Sequence, residues 1–366
     1  MALPLFDDYR ALVTARIPLI DLRAPVEFAR GAFPTAVNLP LMRDEEREAV
    51  GICYKERGNE AAVRLGHALV SSSVREARMQ AWCDFIDVHP DAMLYCFRGG
   101  QRSRITQEWL HEARYTIPRI KGGYKAIRRY LIEALETMEG RFRPLLLGGR
   151  TGSGKTLLLR ELPHMIDLEG LAEHRGSAFG RKITPQPTQI AFEDALAFDL
   201  ITQLEKGHRT LVFEDEGKNI GRLYIPEKMA NHIISGDLVI LETPPGERTQ
   251  ITFDEYVTGA QHAYGEHFGE AGFEMWMGSI GGSIDRIRKR LGSERHREIR
   301  TIFDDACRRQ RETGECEAHK IWIGRLLQEY YDPMYDYQLE KRRERILFRG
   351  DREAVRAYLH ESSPLG

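Results

Sequence analysis

Residues 144–156 read PLLLGGRTGSGKT. Three leucines run into glycines, and Lys155-Thr156 opens an apolar helical pattern, TLLLREL. From Gly149 to Thr156 the stretch satisfies G-x-x-x-x-G-K-[ST] in the setting that motif requires, after a strand and before a helix. The glycines let the backbone wrap round an anion with several N–H groups pointing inward, and the helix start adds its positive end. Gly149, Gly152, Ser153, Gly154, Lys155 and Thr156 are the expected diphosphate-binding residues, with Lys155 reaching outer phosphate oxygens and Thr156 able to hold Mg²⁺. The motif selects a diphosphate-like group and leaves its carrier open. A metal-holding acid is expected at the end of a later strand. Asp215 in LVFEDE (211–216) is the candidate, with Glu214 and Glu216 as rivals; Thr156 and Asp215 would hold Mg²⁺ if it binds.

Working outward, both halves of the chain alternate short apolar runs with helical patterns. In the first half IPLIDLR (17–23), AVNLP (36–40), AMLYCF (92–97) and TIPRIKGG (116–123) read as strands. Helical spacing separates them, as in SRITQEWLHEA (103–113) and YKAIRRYLIEALETM (124–138). In the second half TLVFEDE (210–216) and DLVILE (237–242) read as strands, and 189–207 as a helix with Phe192, Leu196, Leu200 and Leu204 on one face. Such alternation predicts α/β architecture with parallel sheets. The polar MEGRFRP (138–144) marks a boundary. The expected organisation is an N-terminal parallel-sheet domain over 1–138, a P-loop α/β domain over 139–285, and a helical, basic C-terminal extension over 286–366 packed on the P-loop domain.

The chain has 366 residues, 42% hydrophobic and 30% charged, with a net charge of −2. These values fit a globular protein and give no overall pull towards nucleic acid, so any polyanion site must be local. No apolar run approaches a membrane span, and the N-terminus shows no signal-peptide pattern. Five cysteines, an odd number, fit a reducing cytoplasm. None of them has the paired spacing of a zinc site.

A second loop carries different chemistry. In LYCFRGGQRS (94–103) Cys96 ends a strand, where α/β sheets place ligands. Arg98, Gly99, Gly100, Arg102 and Ser103 then form an anion cradle of backbone N–H groups, guanidinium groups and a helix start. Such surroundings favour the thiolate and make Cys96 the candidate nucleophile. Cys53, Cys83, Cys307 and Cys316 lack them and read as small hydrophobes, Cys53 least firmly because basic residues flank it. Cys96 to Arg102 is C-x₅-R, which suits a cysteine phosphatase as well as a chalcogen carrier. Spacing leaves both open.

The first half resembles the rhodanese domain. IDLRAPVEFARGAFPTAVNLP (20–40) is similar to its opening signature, LYCFRGGQRS to its active-site loop and RIKGGYKA (119–126) to its closing Gly-Gly segment. Joined to a P-loop domain, it resembles the tRNA 2-selenouridine synthase family. That resemblance extends through IDLEGLAEHRGSAFG (166–180), PQPTQIAFED (185–194), EDEGKNIG (214–221) and YYDPMYDYQLEK (330–341). Gly217 stands where serine would be expected, which puts the role of Asp215 and Glu216 in question. The resemblance implies a transferase acting on wobble 2-thiouridine in the anticodon region of tRNA. Selenium from selenophosphate would replace sulfur, by way of S-geranyl-2-thiouridine made from geranyl diphosphate. Cys96 would carry the selenium and the P-loop would hold the prenyl diphosphate, with no tightly bound cofactor. A selenophosphate-producing enzyme would be the donor's source, and the setting the cytoplasm. The alternative is a cysteine phosphatase fused to a P-loop kinase-like domain.

A tRNA substrate requires local positive charge. Residues 286–311 hold ten Lys/Arg against four Asp/Glu, a net of +6. Arg286, Arg288, Lys289, Arg290, Arg295 and Arg297 are the candidate tRNA contacts. KRRER (341–345) adds a second cluster, and the tyrosines of 330–337 are candidates for base stacking.

Overall fold

The computed structural model describes residues 3–362. The chain forms two compact units. The first comprises Met1–Met138 with Pro187–Lys206, the second Glu139–Gln186 with Gly207–Gly366.

The first unit is built on five parallel strands: β1 (Leu5–Phe6), β2 (Leu19–Asp21), β3 (Ala36–Asn38), β4 (Met93–Tyr95) and β5 (Arg119–Ile120), in the order β1-β5-β4-β2-β3. β2 and β4 are buried along their whole length. This is why they read as unbroken apolar runs rather than alternating ones. Ile20, Leu22, Leu94, Trp82, Trp109 and Leu110 share one core. The helix Gln189–Glu205, which its sequence position assigns to the second domain, belongs to this unit. It is buried on most sides, through Phe192, Leu196, Phe198 and Ile201 among others. Arg128 pairs with Glu193 and, at 2.7 Å, with Asp194, and Arg10 pairs with Glu205 at 2.6 Å. A linear reading cannot see partners more than sixty positions apart.

The second unit has a parallel sheet of β6 (Arg143–Gly148), β7 (Met165–Ile166), β8 (Thr210–Glu214), β11 (Asp237–Leu241) and β12 (Ile346–Gly350), ordered β12-β11-β6-β8-β7. A small antiparallel pair, β9 (Asn219–Ile220) and β10 (Leu223–Tyr224), stands apart from it. The C-terminal region is therefore not wholly helical, because β12 extends the P-loop sheet. Its half-buried and exposed residues alternate, as at an edge, and the arginines around it conceal the strand in the sequence. Val355 and Leu359 of the last helix join Leu145, Leu147, Val212 and Val239 in the core of this sheet. A separate core gathers Trp276, Phe303 and Trp322 from the helices Gly272–Arg286, Ser293–Thr313 and His319–Leu326, together with Phe179. Among the described residues no helix is long and apolar enough to cross a membrane.

Candidate active sites

Cys96 follows β4 directly and is buried. Its Sγ lies 3.3 Å from Ser103 Oγ, which donates to the Gly100 carbonyl at 3.0 Å. The loop is fixed from the side by the closing Gly-Gly segment. Tyr124 N–H donates to Cys96 O and Lys125 N–H to Phe97 O, both at 3.0 Å. Gly123 has φ +58°, and a Cβ there would lie 2.1 Å from Cys96 O, so only glycine permits this approach. Arg119 ties down Gly99 O at 2.9 Å.

Of the two loop arginines, Arg98 is exposed, with its guanidinium 5.9 Å from the Phe97 ring centre. Arg102 is engaged by Glu27, at 2.6 and 3.2 Å. Burial acts to raise the Glu27 carboxyl. The hydrogen bond and charge of Arg102 outweigh it, aided by the Ala24 amide and Arg47, and hold Glu27 below its ordinary range. Glu27 was not singled out in the sequence; its place three residues after Ala24, as a capping carboxylate, is the signal that would have found it. An arginine locked to an ionised carboxylate is poorly disposed to grip a phosphoryl group. This counts against the phosphatase alternative.

The Asp-x-Arg of IDLR forms a buried brace beneath the loop. Arg23 is 1% exposed and chelates Asp21 at 2.7–3.1 Å. It also donates to Gly31 O at 2.7 Å and stacks on Tyr124 at 3.8 Å. Tyr95 OH donates to Asp21 at 2.6 Å, tying β4 to β2 just before Cys96. Cys96, Arg98, Gly100 and Arg102 line one open cleft of about 960 Å³, whose other wall is the helix Asp44–Leu69. The remaining cysteines carry no such surroundings. Burial pushes the Cys307 thiol up to about 12 and raises that of Cys83.

In the second unit the P-loop leaves β6 as the motif requires. Lys155 Nζ donates to Gly149 O at 2.8 Å. Ser153 is 4% exposed, and its Oγ has no hydrogen-bond partner among the described residues. The same holds for Thr252 Oγ1, which would lie 2.4 Å from a Cβ at Gly152, where φ is +79°. Beneath the loop, buried Arg248 donates to Thr151 O at 3.0 Å and grips Asp332 at 2.6 and 3.0 Å. Arg150 chelates Asp336. Both acids come from YYDPMYDY, so this stretch supports the loop from below. Its Tyr330 and Tyr331 are buried and cannot stack on bases; Tyr337 is exposed, with Lys341 over its ring at 4.1 Å.

The acids are arranged otherwise than expected. Asp215 is chelated by Arg342 at 2.6 and 2.7 Å, so the Thr156–Asp215 pair is not assembled for Mg²⁺. Thr156 Oγ1 instead donates to Glu169 Oε2 at 3.3 Å. Burial raises the Glu169 carboxyl against the pull of Lys155. Burial, reinforced by the charge of Glu169, pushes its hydrogen-bonded neighbour Glu216 up to about 8. The charge of Glu169 thus favours a Glu216 that keeps its proton. Glu214 is a structural tie: it is buried, accepts from Leu168 N–H at 2.9 Å, and is raised well above its usual range by burial and by Asp167 and Glu169. Sequence reading missed Glu169, Arg248 and Arg342, since each is defined by a partner distant in the chain.

Beside the P-loop residue Thr151, a cavity of about 30 Å³ is walled by Phe179, Tyr256, Trp322, Leu326 and Tyr331. Tyr256 and Tyr331 lie in two π-helical turns, Asp254–Gly259 and Leu327–Tyr331, irregularities common at functional sites. Phe179 and Ser177 come from HRGSAFG, which thereby borders the P-loop side of the unit.

Of the basic candidates, Arg288, Lys289, Arg290 and Arg297 are exposed and form no ion pair among the described residues. Arg295 is exposed and lies 3.9 Å from Glu329. Arg286 turns back to Ala178 O at 3.0 Å and to Ser283. Further along, Arg300, Arg308, Arg309 and Arg311 are each paired with acids. The usable charge is therefore concentrated at 288–297.

The class is thus a two-unit α/β protein with a cysteine loop at the end of one parallel sheet and a P-loop at the end of another. A family model described as the tRNA 2-selenouridine synthase AAA domain matches residues 142–364. The tRNA 2-selenouridine synthase of Sulfurovum sp. (strain NBC37-1) is 57% identical, covering 98% of this chain and 99% of its own. That of Hydrogenovibrio crunogenus is 51% identical over 98% and 99%, and that of Shewanella sediminis 46% over 98% and 97%. The chain belongs to the tRNA 2-selenouridine synthase family and is an enzyme of that type.

Proposed function

We propose that the enzyme replaces the sulfur of wobble 2-thiouridine in tRNA with selenium in two stages. In the first, Gly149–Thr156 holds the diphosphate of geranyl diphosphate while the uridine sulfur attacks the prenyl carbon. Diphosphate leaves into the cradle of Lys155 and the loop amides, where developing charge is best stabilised. The Glu169–Glu216 pair takes the proton that the base gives up on S-alkylation. In the second stage the Cys96 thiolate bonds to the uridine carbon as the C–S bond breaks, and the prenylated sulfur leaves as geranyl thiol. The selenium of selenophosphate, whose phosphate end suits the exposed Arg98, then displaces Cys96 from that carbon. Water takes the phosphoryl group as phosphate, so selenium stays at the selenide level throughout. Arg288, Lys289, Arg290 and Arg297 contact tRNA phosphates. A selenophosphate-producing enzyme supplies the donor.

The observation that supports this best is the wall beside the P-loop. Phe179, Tyr256, Trp322, Leu326 and Tyr331 stand beside Thr151 of the P-loop and offer an apolar chain attached to a diphosphate a matching surface. The cavity is smaller than a ten-carbon chain, so binding parts its walls at the two π-turns. The test is nucleoside mass spectrometry on a 2-thiouridine anticodon stem-loop incubated with enzyme, geranyl diphosphate and selenophosphate, omitting each in turn. S-geranyl-2-thiouridine should accumulate without selenophosphate. 2-Selenouridine formed equally well without geranyl diphosphate would overturn the two-stage reading.

A further inference from the structure

We infer that the cleft beside Cys96 is the seat of the prenyl chain carried on the uridine sulfur, an assignment that rests on the two-stage reading above. The first ground is size. A nucleophile that handles one selenium atom and a phosphate-sized donor needs a small polar cradle, yet the cleft measures about 960 Å³. That is the scale of a site for a sizeable organic ligand.

The second ground is chemistry. Leu41 and Met42 follow β3, Val50 and Val63 face in from the helix Asp44–Leu69, and Ile105 and Trp109 come from the helix that begins behind Cys96. Ile52 on the same wall is 49% exposed, an apolar residue with nothing over it. The third ground is charge. Lys55 and Arg98 line the cleft, are exposed, and form no ion pair among the described residues, while Glu48 is the one acid in its lining. An apolar interior with a cationic rim complements an apolar chain attached to a polyanion. It suits neither a bare anion nor an uncharged lipid as well. Cys96 lines the same cleft, so a chain lodged there would hold its sulfur, and the uridine carbon bearing it, beside the attacking thiolate.

The test uses the full-length enzyme with selenophosphate and two anticodon stem-loops, one bearing S-geranyl- and one S-methyl-2-thiouridine, with 2-selenouridine read by mass spectrometry. The wild type should prefer the geranyl substrate at least tenfold in kcat/KM. Val63→Trp, which fills the cleft, should reduce that ratio at least tenfold, and Ile52→Asp, on the exposed part of the wall and thus safer for folding, at least threefold. If both variants keep the wild-type ratio, the assignment of the cleft falls while the two-stage reading stands. If the wild type makes no 2-selenouridine from the S-geranyl stem-loop, the two-stage reading itself fails and the assignment with it.

Discussion

The cysteine loop and the P-loop are built alike: a buried parallel strand, a glycine-rich turn, then a helix. Each is braced from below by a buried arginine on an aspartate, Arg23 on Asp21 in one unit and Arg248 on Asp332 in the other. They differ in what the turn leaves available. The P-loop keeps its cation on its own backbone, with Lys155 resting on Gly149 O, and holds a buried Ser153 hydroxyl without a hydrogen-bond partner among the described residues. The cysteine loop commits Arg102 to Glu27 and leaves a thiol at the wall of a large cleft. On the proposed function, the same turn serves one unit for holding an anionic leaving group and the other for covalent catalysis. The deciding groups are the few that the surrounding fold leaves unpaired.

The largest effect that would sharpen this contrast is at Cys96. Cys96→Ala should lower selenium incorporation by about 10³-fold or more, with S-geranylation retained, read by nucleoside mass spectrometry. Loss of both stages together would break the division between the loops. Next come the braces. Arg23→Leu leaves Asp21 buried and uncompensated and should cost about 3–5 kcal/mol in chemical denaturation. Arg248→Leu should cost less, because the Asp332 side chain is 16% exposed and can hydrate. Equal costs would show that the two braces are not distinguished by burial. Lys155→Ala should slow S-geranylation by about 10²-fold, while the rate of Cys96 alkylation by iodoacetamide stays at the wild-type value.

A smaller effect is set by pH. The folded Glu216 carboxyl titrates at about 8 against an ordinary 4.5, so the unfolded chain releases its proton first. Stability should therefore fall as pH rises from about 4.5 towards 8 and then level off. Glu216→Gln should flatten that fall in denaturation midpoints measured at pH 5, 7 and 9. An unchanged slope would remove Glu216 as its source. Smallest of all, Arg288→Glu with Arg297→Glu should weaken stem-loop binding by about tenfold at moderate salt and reduce its salt dependence. Binding that keeps its salt slope would move the RNA surface elsewhere.

The sequence by itself determined the two loops, the parallel α/β class and Cys96 as the reactive thiol candidate. Those features are local: a motif, a strand end and a run of small and basic residues within ten positions. Tertiary structure decided which of the named groups are free to act. It gave Asp215 to Arg342 and put Glu169 at Thr156, buried Tyr330 and Tyr331 in the core of Trp276, Phe303 and Trp322, and placed the 189–205 helix in the first unit. It also returned the chain at 346–350 as an edge strand. The physical reason is common to all of these. A charge, hydroxyl or apolar face is satisfied by whichever partner the fold brings within about 3 Å of it, and for Thr156 and Asp215 that partner lies 13 and 127 positions away.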